Sequence, residues 1–113
     1  MTRRSEKVAS LLREAISEII LYELNDPVFK KIISITGIKI GADLKRAIIF
    51  FRVFDNDPKE VESALNRSKG YIKKLLSEKI TLKFMPEIEF KIDTTEEDER
   101  RLIELFEKIK KSE

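Results

Sequence analysis

Pro27 is the residue that most limits what this chain can fold into. Before it, Val8, Leu11, Leu12, Ala15, Ile16, Ile19 and Ile20 recur at helical spacing in a segment that reads as helix from Ser5 to Leu24. Pro27 cannot continue that helix, and it biases Asp26 away from helical angles, so the helix is expected to end near Asn25. Two strands are expected next, with only a short Asp43-Leu44 loop between them. A long helix stopped by Asp-Pro and followed at once by a β-hairpin excludes most small all-helical folds.

Ile32 to Ile40 reads as the first strand. Its apolar residues occupy odd positions at Ile33 and Ile35, then even positions at Ile38 and Ile40. A strand keeps one phase unless a residue is inserted, so Thr36-Gly37 is expected to be a bulge. Gly41 to Lys45 forms the turn, and Arg46 to Phe54 the second strand. The nearly continuous apolar run of that strand predicts a central position, covered on both faces or nearly so.

Asp57-Pro58-Lys59-Glu60 opens a second helix as cap, first helical residue and capping-box partner. Val61, Ala64 and Leu65 form its inner stripe. After Gly70, Ile72, Leu75, Leu76 and Ile80 continue in helical register until Met85-Pro86 breaks the pattern. Ile88, Phe90 and Ile92 alternate with Glu87, Glu89 and Lys91, which describes a strand with one apolar face. Thr94 or Thr95 caps a last helix bearing Leu102, Leu105, Phe106 and Ile109. The order is α-β-β-α-α-β-α, an α+β chain with a three-stranded sheet and helices packed on it. At 113 residues it is expected to form one domain over residues 1–113.

The chain has no histidine and no cysteine, which removes the commonest general base, thiol chemistry and disulfides. No Gly-rich phosphate loop or nucleophile–base pair occurs, so an enzyme is not expected. The acidic run Glu96-Glu97-Asp98-Glu99 lacks calcium-loop spacing and fits the start of a helix; no metal and no cofactor are expected. Asp26, Asp43, Asp55 and Asp57 fit turns and caps. Without a long apolar run or an apolar signal core near its N-terminus, the chain is expected to be cytoplasmic, with no membrane partner.

Charge is unevenly placed. Residues 1–85 carry 17 basic and 11 acidic side chains; residues 86–113 carry 6 and 10. A basic body with an acidic end results, although 39% of all residues are charged and the net charge is only +2. Three basic groups are candidates for binding phosphate. Arg67, Lys69, Lys73 and Lys74 cluster where one helix ends and the next begins, and a helix N-terminus there would favour an anion. Arg3, Arg4, Lys7 and Arg13 lie off the apolar stripe of the first helix. Lys45-Arg46 sits at the hairpin, with Lys30-Lys31 before the first strand. Read locally, each group fits a solvated surface better than a binding site. Ser68-Lys69-Gly70 would let the two helix axes meet with little side-chain bulk. Phe50, Phe51 and Phe54 are expected in the core, while Tyr22 and Tyr71 are candidates for partial exposure and base stacking.

Several stretches, in this order, resemble the ribosome-binding factor A family. They are Arg4 to Leu24 with its Val8-Ala9 start, Glu23-Leu24-Asn25-Asp26-Pro27, Ser34-Ile35-Thr36-Gly37-Ile38, and Asp43-Leu44 with Ala47. Phe84-Met85-Pro86-Glu87-Ile88 and Asp93 with Leu102-Ile103 and Leu105-Phe106 complete the set. The resemblance implies a type II KH-like fold. Ordinary KH domains clamp nucleic acid with a Gly-x-x-G loop, which this chain lacks, its glycines being Gly37, Gly41 and Gly70. The family has an Ala-x-Gly helix kink at that place; here Ser68-Lys69-Gly70 occupies it, with serine in place of alanine. The resemblance further implies a non-enzymatic factor that binds the small (30S) ribosomal subunit and its 16S rRNA. It would assist late maturation, including 5′-end processing, most of all in the cold. It shifts the Lys69 cluster from solvation toward RNA contact. A monomer is expected. The alternatives are a protein-interaction domain that docks only on ribosomal proteins through its acidic last helix, and a small RNA-processing enzyme.

Overall fold

A computed structural model describes residues 3–54 and 57–111. Helix α1 (Arg3–Tyr22) is followed by a 3-10 turn (Pro27–Lys30), strands β1 (Ile33–Ile40) and β2 (Arg46–Val53), and helices α2 (Pro58–Arg67) and α3 (Lys69–Lys79). Strand β3 (Glu87–Ile92) and helix α4 (Thr95–Lys111) complete the chain. This is the expected α-β-β-α-α-β-α order and type II KH-like arrangement. α1 stops at Tyr22, ahead of Asn25, and Asp26 caps the 3-10 turn, its carboxylate accepting the Val28 amide at 3.0 Å. Phe29 is thereby buried against the core.

The sheet order is β1-β2-β3, with β1–β2 antiparallel and β2–β3 parallel. The α2–α3 pair supplies the crossover that a parallel connection needs. The predicted bulge is present: Ile35 pairs with Phe51 and Gly37 with Phe50, leaving Thr36 as the extra residue. Arg13, expected among the free cations of α1, instead donates to the Ile35 carbonyl at 2.9 Å, beside the bulge.

Ile35, Ile40, Ala47, Ile49, Phe51, Ile88 and Phe90 meet α1, α2 and α3 in one core. β2 is central, as expected, but only this face is covered. Its alternate residues Ile48 and Phe50 lie half-buried on the open face, shielded by neighbours such as Lys39, Glu89 and Lys91 across the strands. Phe54, expected in the core, is 73% exposed beyond the end of β2. Asp57 caps α2 through the Glu60 amide at 3.3 Å; Asp55 lies outside the described residues. β3 is an edge strand, and α2 side chains occupy its outer hydrogen-bonding groups. Asn66 accepts from the Phe90 amide at 2.9 Å and donates to the Phe90 carbonyl at 3.0 Å, while Glu62 accepts from the Ile92 amide at 2.9 Å.

The placement of α4 differs from the expectation that every helix lies on the sheet. It buries no side chain, and Leu102, Ile103, Leu105 and Phe106 are each more than half exposed. The two residues between β3 and α4 explain the direction it takes. Asp93 accepts the Thr95 amide at 2.9 Å, Thr94 bonds Asp98, and Glu96 pairs with Arg52 at 3.3 Å, together fixing the first turn. The Thr36 hydroxyl is buried without a full hydrogen bond, yet it is close enough to Asp93 to favour its charged form. That hydroxyl first, then the Thr95 hydroxyl and amide, hold the Asp93 carboxyl down at about 2. A depressed carboxylate contributes stability above its unfolded value near 3.8, lost as pH falls from there through about 2. Urea unfolding at pH 5 and pH 3 should therefore show a larger loss of stability in the natural chain than in Asp93→Asn. Equal losses would remove Asp93 from the acid response.

Candidate nucleic-acid interface

The turn between β1 and β2 positions two of the predicted cations. Asp43 accepts the Lys45 amide at 3.1 Å, and the Leu44 amide bonds the Gly41 carbonyl at 3.0 Å. Leu44 is held at φ 60°, a left-handed backbone that costs a branched residue about 1 kcal/mol. Adjacent residues entering a strand point to opposite sides. Lys45 therefore lines one groove and Arg46 another.

The first groove, about 680 Å³, brings Lys45 together with Arg4 of α1 and Lys83. The second, also about 680 Å³, lies over the β2–β3 side of the sheet. It brings Arg46 together with Lys69 at the start of α3, and adds Lys39 and Lys91. Glu87, the first residue of β3, borders both grooves. All three predicted basic groups thus send members to a shared surface around the hairpin, the helix-pair cluster through Lys69 alone.

Glu87 also explains what becomes of Lys73. Its ammonium bonds the Glu87 carboxylate and is only partly exposed. Lys73 first, through its hydrogen bond and charge, and then Lys69 through charge, hold the Glu87 carboxyl below its usual range. Lys73 is therefore already partnered, and Lys69 is the cation of this cluster that faces the groove. Arg67 and Lys74 are exposed on α2 and α3 but line neither groove. Arg3 and Lys7 flank a shallower groove along α1 that includes Glu6. Lys30 and Lys31 lie beside Tyr22 near the start of β1. An eight-residue strand, about 25 Å long, separates them from the hairpin turn.

The helix break falls where expected. α2 ends at Arg67, and the Ser68 amide bonds the Ala64 and Leu65 carbonyls at 3.0 and 3.1 Å. α3 starts at Lys69, with no capping bond from the Ser68 side chain. The expected reason for Gly70 is corrected, because a Cβ there would meet nothing within 4 Å. Gly70 is exposed and leaves open space beside Lys69; it does not mediate close helix packing.

Sequence reasoning missed Lys39, Lys91, Lys83 and Phe84. The first two were legible as outward members of alternating strands. Phe84 was not, because nothing local says that it is 75% exposed while Pro86, two residues on, is buried. Tyr22 and Tyr71 are exposed as expected, at 74% and 50%. Among the described residues, no group of three His, Cys, Asp or Glu side chains could hold a metal ion. No described helix is long and apolar enough to cross a membrane. Chemically, the two grooves offer concave surfaces edged by ammonium and guanidinium groups, suited to a polyanion.

The model of the ribosome-binding factor A family matches residues 4–106. The ribosome-binding factor A of Citrifermentans bemidjiense is 39% identical over 97 residues, covering 84% of this chain and 81% of that protein. The crystal structure of ribosome-binding factor A from Thermus thermophilus superposes with a TM-score of 0.70 at 18% identity, over 77% of this chain and 92% of that one. A homology model of the Thermus thermophilus factor, fitted into a cryo-EM map of its complex with the 30S subunit, gives 0.62 at 18% identity. That match covers 76% of this chain and 91% of that one.

Proposed function

Because this chain belongs to the ribosome-binding factor A family, we propose that it binds the small ribosomal subunit through its 16S rRNA and assists late maturation, including 5′-end processing. The observation that carries this reading is the pair of cation-edged grooves meeting at the β1–β2 turn. They offer Arg4, Lys45, Lys83, Arg46, Lys69, Lys39 and Lys91 to phosphates on two sides of one hairpin. The fitted 30S complex of the Thermus relative supports the choice of partner. In this reading residues 1–113 act as a single KH-like RNA-binding domain, monomeric, cytoplasmic, most needed in the cold, and without a catalytic step of its own. Arg3, Lys7, Arg67 and Lys74 would add peripheral phosphate contacts, and Ser68 and Gly70 would set the helix break beside Lys69.

Binding to purified small subunits, measured by co-sedimentation over a range of KCl, should weaken with a log–log slope of about 0.7–0.9 per phosphate neutralised. Depleting the protein in its host should lengthen the 5′ end of 16S rRNA, with re-expression restoring the mature end. A salt-independent affinity would count against RNA contact, and a normal 5′ end on depletion against the processing role.

The exposed apolar side of α4 favours a second reading, a domain that docks only on ribosomal proteins. Crosslinking on the small subunit separates the two. RNA adducts at Lys45 and Lys69 support the first reading, and adducts confined to proteins and to α4 support the second.

A further inference from the structure

We propose that the groove between the start of α1, the β1–β2 turn and the segment entering β3 holds a single unstacked RNA base, with Phe84 as its stacking platform. The inference rests on the RNA-binding reading and deepens it from phosphate attraction to a nucleotide site.

Four observations converge there. Phe84 is the most exposed large apolar side chain among the described residues, at 75%, and it lines a concavity of about 680 Å³. That volume lies in the range of small-molecule sites. Val8, Leu44 and Met85 line the same concavity, and all three also pack against the hydrophobic core. Leu44 is the one non-glycine residue with positive φ among those described, so a strained backbone sets the position of one wall. Finally, three cations stand around the groove: Arg4, Lys45 and Lys83, the last with its ammonium 5.7 Å from the centre of the Phe84 ring.

An apolar ring with an ammonium over one face and further cations around it fits a nucleotide better than a peptide, because a base can take the other ring face while flanking phosphates meet the cations. The two carboxylates bordering the groove do not reverse this balance. Asp43 accepts the Lys45 amide, and Glu87 is paired with Lys73. A duplex keeps its bases stacked and offers no free face, so the occupant is single-stranded or flipped out. The groove adjoins the one lined by Arg46 and Lys69 at Glu87, so a strand held by those cations can deliver a base to Phe84.

The chain contains no tryptophan, so Phe84→Trp creates a single reporter at the platform. A ten-nucleotide single-stranded oligoadenylate should quench its emission by about half, through base–indole stacking. The same strand paired with oligouridylate, or inorganic tripolyphosphate, should leave emission nearly unchanged. Phe84→Ala should bind the single strand about tenfold more weakly than the natural chain, and Phe84→Tyr should restore it. Because Phe84 is exposed, the Ala variant should keep the natural unfolding midpoint. Equal quenching by tripolyphosphate, or unchanged affinity in Phe84→Ala, would overturn the proposal, as would protein-only adducts from a photo-crosslinker at position 84 on the small subunit. Small-subunit binding by the natural chain is measured alongside. If it persists when the Phe84 results fail, the nucleotide site falls and the ribosomal function stands; if it is absent, the ribosomal function falls by itself.

Discussion

Replacing Arg46 and Lys69 together with alanine should weaken binding to the small ribosomal subunit about a hundredfold at moderate salt. Each is expected to make one charge-assisted contact with a phosphate, worth about 1.5 kcal/mol, and each 1.4 kcal/mol is a factor of ten. Both line one groove, so their losses should combine on a single stretch of RNA backbone. The salt dependence should shrink with them, by about 0.7–0.9 in slope for each lost phosphate. Both side chains are exposed, so the unfolding midpoint should stay near that of the natural chain. Lys74→Ala, on the same helix but outside both grooves, loses only a peripheral contact and should weaken binding far less than the double variant. Glu87→Gln should move affinity the other way. It removes a carboxylate from the border of both grooves and releases Lys73 from its ion pair. Normal binding in the double variant would place the RNA elsewhere on the molecule.

Asn66→Ala should destabilise the fold by about 3 kcal/mol, lowering Tm by about 12 °C. Its amide group makes three bonds, two to the Phe90 backbone and one to the Glu62 carbonyl at 3.1 Å. Truncation leaves the Phe90 N–H and C=O without their partner on the outer side of an edge strand, which exposes that edge to pairing with another chain. Asn66→Asp keeps an acceptor for the Phe90 amide but loses the donor, so its stability should fall between the two. Urea unfolding provides the comparison, and size-exclusion of the Ala variant at rising concentration would reveal edge-to-edge association. A loss below about 1 kcal/mol would mean that water replaces the side-chain amide without difficulty.

Much of the fold was legible because its signals are local. The helical stripe ending before Pro27, the shift of apolar phase across Thr36-Gly37 and the Asp57-Pro58 cap each state a backbone geometry in a few residues. All three were found, with α1 ending slightly earlier than expected at Tyr22. The candidate site was legible only as a list of cations. A local pattern cannot say that Lys73 meets Glu87, that Arg13 reaches the Ile35 carbonyl, or that Lys30-Lys31 sits a strand's length from the turn. The pairs 13–35 and 73–87 span 22 and 14 residues, and both contacts require folded neighbours.

By itself, then, the sequence determined the element order, the bulge, the caps and the family. These depend on backbone preferences and hydrophobic periods that act over one turn or one strand. Tertiary structure alone decided which cations face a common groove, since that depends on how α1, α3 and the hairpin are set against the sheet. It also decided that Phe84 stays in solvent and that α4 leaves the body, because an apolar residue carries no local mark of whether a partner will cover it.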